Sequence, residues 1–171
     1  MKHSQIKKMV MTAMLAAVAV ACSPLSIPVG ASKCFPAQHF VNVVASVFLG
    51  PGYAAASAFI SSLCRNLMGT GTPMAFSSVF GAFLCGLLYQ KLKKLPFAYV
   101  GELFGTAVIG GIYAYFAATL IMSKEAALFT YVPAFFISSL SGTIIAAVLI
   151  PALKRAGVER LINEQHTESH T

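Results

Sequence analysis

Charge is what this chain has least of. Only 10% of its 171 residues are charged, against 57% hydrophobic, and the mean hydropathy is +0.77. A soluble domain carries about 25% charged residues. Too few are present here to build a water-facing surface, so the composition is that of an integral membrane protein. Reaction signatures are missing as well. There is no HExxH and no GxxxxGK(S/T) phosphate loop, which leaves no recognisable zinc protease site and no means of its own to hold ATP. The four cysteines (22, 34, 64 and 85) show neither CxxC nor Cys/His metal spacing. Cys22, Cys64 and Cys85 lie in apolar runs and read as small hydrophobes, and Cys34 reads as a loop residue. No metal site and no cofactor is expected, and no internal repeat is evident.

The net charge of +7 would suggest nucleic acid in a soluble protein, but the placement of the charges excludes that partner. Basic residues punctuate the apolar runs. Lys2, Lys7 and Lys8 precede the first, Lys91, Lys93 and Lys94 fill a central gap, and Lys154, Arg155 and Arg160 follow the last. These are orientation signals for a lipid bilayer.

A spanning helix needs about 20 apolar residues. The runs at 6–23, 37–49, 53–67, 73–89, 97–122 and 126–153 predict an all-α integral membrane protein, a single bundle of six transmembrane helices. Pro24 ends the first run, and Gly50–Gly52 separates the second from the third. The second and third are short, and two forms fit them, thin spans or a re-entrant pair. Both forms leave the termini on one side. The first run has the look of a secretory signal, but Ala19 stands three positions before Cys22 where a lipoprotein signal has Leu, and more apolar runs follow. It is expected to remain as an uncleaved helix. With both termini cytoplasmic, nine basic residues face inward and three (33, 65, 124) outward; the inverse arrangement reverses that ratio. The expected organisation is a multi-pass domain over 1–153 in the cell membrane and a polar cytoplasmic tail over 154–171.

The polar residues then gather at the outer face. Gln38, Asn42 and Ser46 step by four, with His39 three before Asn42; Ser57, Ser61 and Arg65 step by four, as do Ser62 and Asn66. Each set makes one stripe on a helix. Polar groups in a bilayer turn to the bundle interior, a wet cavity or the interface. A pocket with Gln38, His39, Asn42, Arg65 and Asn66 as substrate-binding residues satisfies them together, with Phe35, Phe40 and Tyr131 as candidate walls. Bland readings stand beside this one. Arg65 reads equally as snorkelling to the headgroups, Lys33 as a solvated loop lysine, and the serines as small packing residues. If Arg65 lines the pocket, an anionic or phosphorylated ligand gains weight. Glu102, near the cytoplasmic end of the fifth run and within reach of water, suits a conformational role as well as a ligand role. On the first helix, Ala13, Ala17 and Ala21 recur every four residues beside Thr12 and Ala16, a smooth face for another helix or for packing within the bundle.

Rival classes are weaker. An intramembrane enzyme needs clustered His/Glu or Ser/His/Asp groups, and only His39 is internal. A self-sufficient carrier or channel needs more helices or a repeat unless it oligomerises. A scaffold without ligand leaves the polar cluster unexplained.

Four stretches, "SPLSIPVGASKCFPAQHFVNVVASVFLGPGYA", "FISSLCRNLMGTGTPMAF", "VFGAFLCGLLY" and "GELFGTAVIGG", resemble the ThiW family, which is similar to the substrate-binding S components of energy-coupling factor (ECF) vitamin transporters. The resemblance spans residues 9–151. It implies capture of a small molecule, the thiazole alcohol precursor of thiamine or a related compound. It also implies docking through helix one onto a transmembrane coupling subunit driven by two ATP-binding-cassette ATPases. The chain itself would then not be an enzyme.

Overall fold

A computed structural model describes residues 3–29 and 32–158. Lys2, Arg160 and the tail from 159 onward lie outside the described residues. Helix α1 (His3–Ala21) leads into a hairpin of β1 (Ile27–Val29) and β2 (Ser32–Cys34), paired antiparallel with Ile27 opposite Cys34. Helices α2 (Pro36–Phe48) and α3 (Pro51–Leu67) follow. A 3-10 turn (Pro73–Ser77) runs into α4 (Ser78–Leu92). The next helical stretch comprises α5 (Leu95–Phe104), a π segment (Gly105–Ile109), α6 (Gly110–Phe116) and a second π segment (Ala117–Ile121); α7 (Val132–Arg155) closes the order.

Prolines set several starts. Pro36, Pro51, Pro73 and Pro133 each stand in the first two positions of a helix, where the missing N–H costs nothing and the fixed φ favours helix. This explains two departures from the sequence expectation. α3 begins inside the Gly50–Gly52 stretch, not after it. α7 begins at Val132, not near 126, because Ser123 takes φ 51° and residues 122–131 form no helix. A third departure is the hairpin, which places Cys34 in a strand. Among the described residues, three helical stretches are long and apolar enough to cross a membrane, Pro73–Leu92, Leu95–Ile121 and Val132–Arg155. α2, at 13 residues, is about 20 Å long.

The packing is inverted relative to a soluble protein. Phe59, Phe83, Phe104, Phe116, Leu120 and Val148 are exposed, whereas Gln38, Asn42, Arg65 and Glu102 are at most 3% exposed. Apolar side chains outside and polar groups inside suit a lipid solvent. α2 occupies the centre, packed by α7, α4, α3 and α1. It is buried from Val41 to Val47 on every face, as a central helix must be. Its C-terminal half joins Cys85, Tyr89, Ala146 and Ile150 in an apolar core. Beside that core Lys154 Nζ donates to the Tyr89 hydroxyl, so Lys91, Lys93, Lys94, Lys154 and Arg155 gather at one end of the bundle. The hairpin, the start of α2 and the end of α3 lie at the other.

Candidate functional site

That second end holds a cavity of about 420 Å³, within the range of small-molecule sites. Its mouth is formed by exposed Thr70 and Lys124 together with Lys33, and its depth by buried Gln38, His39 and Arg65.

Three local devices position these side chains. The hairpin is tied to α7: Cys34 Sγ donates to Ala134 O at 3.5 Å and Phe35 N–H donates to Ser138 Oγ at 2.8 Å. Burial pushes the Cys34 thiol above its ordinary range, which keeps it a packed, inert group. Second, α3 ends in a left-handed Gly69 at φ +71°. The Thr70 and Gly71 N–H groups then both donate to Arg65 O, a glycine-dependent helix stop that folds the 69–72 loop back beside Arg65. Third, Gly142 of α7 lets that helix lie against the start of α2. A Cβ at Gly142 would stand 2.6 Å from His39 Cβ.

The polar groups form one connected network around Glu102. Its Oε1 faces His39 Nδ1 at 2.8 Å and accepts from Asn42 Nδ2 at 3.0 Å and Thr106 Oγ1 at 3.3 Å. A carboxylate acceptor at Nδ1 fixes the imidazole's orientation. Asn42 Nδ2 also donates to Ser78 O at 3.3 Å, and its Oδ1 accepts from Gln38 Nε2 at 3.0 Å. Gln38 Oε1 in turn accepts from Ser61 Oγ at 3.1 Å and Arg65 Nη1 at 3.4 Å. The Arg65 guanidinium lies over the Phe35 ring, 3.7 Å from its centroid. Arg65 Nε and Nη2 and Glu102 Oε2 have no hydrogen-bond partner among the described residues.

Gln38, His39 and Arg65 reach the cavity wall, as does Phe35. Asn42 lies one layer beneath, joining Gln38 to Glu102. Asn66 holds the loop instead, donating to Ser62 O at 2.8 Å and Thr72 O at 3.0 Å. Arg65, 2% exposed, does not snorkel. Glu102 is fully buried and bonded to α2, so the expectation that it reaches water is corrected: its place on the helix turns it to the centre. Phe40 packs in the apolar core and Tyr131 in a separate cluster with Met74 and Phe135; neither is among the wall residues. Sequence reasoning missed Thr106, Ser78 and Ser138. The one available signal was the four-residue step from Glu102 to Thr106. Among the described residues no cluster of His, Cys, Asp or Glu could hold a metal ion.

Ala13 and Ala17 on α1, and Ala21 at its end, are exposed, while Thr12, Ala16 and Ala19 face inward toward α3 and α2. The small-residue stripe therefore looks away from the bundle.

Residues 9–156 match the family described as thiamine-precursor transporter protein (ThiW). No curated protein and no solved structure matches the chain. With most of its length matched, the chain belongs to the ThiW family, a family of membrane transporters for a thiamine precursor.

Proposed function

We propose, from membership in the ThiW family, that this chain is the substrate-capture component of an ECF-type importer in the cell membrane and takes up the thiazole alcohol precursor of thiamine or a close relative. One observation carries the reading: a cavity of about 420 Å³ sits over a buried polar network at the end of the bundle opposite Lys91, Lys93, Lys94, Lys154 and Arg155. The positive-inside rule puts those basic residues in the cytoplasm, and with them both termini, so the cavity meets the outside. The helical stretches from α1 to α7 then make six spans, α2 and α3 being the short ones.

The cavity chemistry supports a small heteroaromatic ligand. Phe35 and Phe135 supply aromatic wall, and Gln38, His39 and Ser138, within a lining richer in polar residues than most such sites, supply fixed polar groups. His39 spends Nδ1 on Glu102, and among the described residues no hydrogen bond engages Nε2, which leaves that atom for a ring nitrogen or a hydroxyl. The chain acts as a cup and has no phosphate loop of its own, so the energy comes from two ATPases acting through a coupling subunit. The outward stripe Ala13, Ala17 and Ala21 is the docking face for that subunit, since small residues allow close helix approach.

Two measurements test this together. Purified protein in detergent should bind the thiazole alcohol saturably, and His39→Ala should abolish binding while the protein remains folded. Ala17→Leu should bind normally yet fail to co-purify with the coupling subunit. Unchanged affinity in His39→Ala removes the pocket, and intact co-purification of Ala17→Leu removes the docking face.

A further inference from the structure

Arg65 is a buried cation with no anion against it among the described residues. The carboxylate nearest in the network, Glu102, spends Oε1 on His39, Asn42 and Thr106. Arg65 receives only the amide oxygen of Gln38, at 3.4 Å, and the face of Phe35. A buried guanidinium left in this state is costly, and a transporter gains by having the ligand complete it. The atoms left over matter. Nε and Nη2 form one edge of the guanidinium, and that edge is unpartnered. Such an edge takes two oxygens of a carboxylate or phosphate in parallel hydrogen bonds; both atoms are themselves buried, so an oxyanion meets them when the Arg65 side chain turns toward the cavity it lines.

The rest of the cavity agrees in sign. Lys33 and Lys124 line it along with Arg65, and among the described residues no Asp or Glu does. The 13-residue helix α2 begins at the same wall, with Phe35 and Gln38 on the lining and no side-chain cap on its N-terminus. The positive end of its dipole therefore adds to the three cations. A neutral alcohol would leave all of this unanswered, and a cation such as an intact thiazolium compound would be repelled.

We infer that the ligand carries an oxyanion, a phosphate monoester or carboxylate on the small ring, and that Arg65 is its anchoring residue. This rests on the transporter reading above and narrows its substrate from the alcohol to an anionic derivative.

The test is isothermal titration of the purified full chain in detergent with three probes sharing one thiazole ring: the alcohol, its phosphate ester and the corresponding carboxylate. One of the two anions is expected to bind at least tenfold tighter than the alcohol, and which one wins distinguishes phosphate from carboxylate. Arg65→Gln should erase the preference, and Arg65→Lys should keep part of it. An alcohol that binds as tightly as both anions, or a preference that survives Arg65→Gln, overturns the inference and leaves the transporter reading standing. If no thiazole binds, the thermal midpoint with millimolar inorganic phosphate decides. A rise in wild type that is reduced in Arg65→Lys and absent in Arg65→Gln supports the anion site and sinks the thiazole reading; no rise, or a rise that survives Arg65→Gln, sinks the anion site. Should Arg65→Gln fail to fold, the wild-type ranking and the behaviour of Arg65→Lys decide instead.

Discussion

The two halves of α2 live in different chemistry. Its first two turns present Gln38, His39 and Asn42 to a polar network. Its last two present Val43, Val44 and Val47 to an apolar core with Cys85, Ala146 and Ile150. Both halves are buried, and the same neighbours, α4 and α7, pack against both. The halves differ in what is left unsatisfied. The apolar half packs methyl to methyl, and its one buried hydroxyl, Ser46, is satisfied by Ala82 O at 2.8 Å. The polar half satisfies most of its groups internally but leaves Arg65 Nε and Nη2 and Glu102 Oε2 unmatched. Of these residues Arg65 lines the cavity, and a ligand is the natural way to use its spare donors, whereas Glu102 lies beneath. Burial alone does not mark a site; incomplete satisfaction next to a void does.

Substitutions sharpen that contrast. The largest effect is expected from Glu102→Ala, which strips three donors of their shared acceptor. Breaking a buried pair of this kind costs about 3–5 kcal/mol, so both the thermal midpoint and ligand affinity should collapse. Glu102→Gln, keeping an amide oxygen, should recover part of each. A Glu102→Ala protein that binds normally would mean the network does not organise the cavity. A smaller effect is expected from Gly142→Ala, whose new methyl meets the α2 backbone at Pro36 O and, at 2.6 and 2.7 Å, His39 Cβ and Phe40 N. Overpacking costs about 1–3 kcal/mol, and here it should weaken ligand binding by moving the imidazole. The smallest is Ile150→Val in the apolar half: about 0.5–1.5 kcal/mol of stability and no change in affinity by titration. Equal losses of affinity from Gly142→Ala and Ile150→Val would erase the distinction between the halves.

How much of this the sequence carried depended on distance along the chain. The stripe of Gln38, His39 and Asn42 was legible because it repeats within one helix. The inward turn of Glu102 was not, because its partners on α2 lie about 60 residues away and nothing local marks which face of α5 turns inward. The hairpin was hidden because two strands of three residues are too short to show alternation. Phe35 and Phe40 look alike as letters, but only Phe35, ahead of the first turn of α2, reaches the void. The expected sidedness rests on the count of Lys and Arg alone.

Between Leu95 and Ile121 the inward-facing residues follow an unusual spacing. Glu102, Thr106, Gly110, Ala114 and Ala118 are all buried at steps of four residues. At 3.6 residues per turn, four such steps would swing the last position about 160° away from the first. The π segment Gly105–Ile109, a locally wider winding lying wholly between them, absorbs much of that rotation, and the second begins at Ala117 where the seam ends. The inward seam therefore runs nearly parallel to the helix axis, like a rail, from the carboxylate at one end to bare alanines at the other. Restoring regular α winding by deleting a residue inside either π segment would twist the rail, turning Thr106 or Ala118 out toward the lipid while the chain on the far side of the deletion kept its grip.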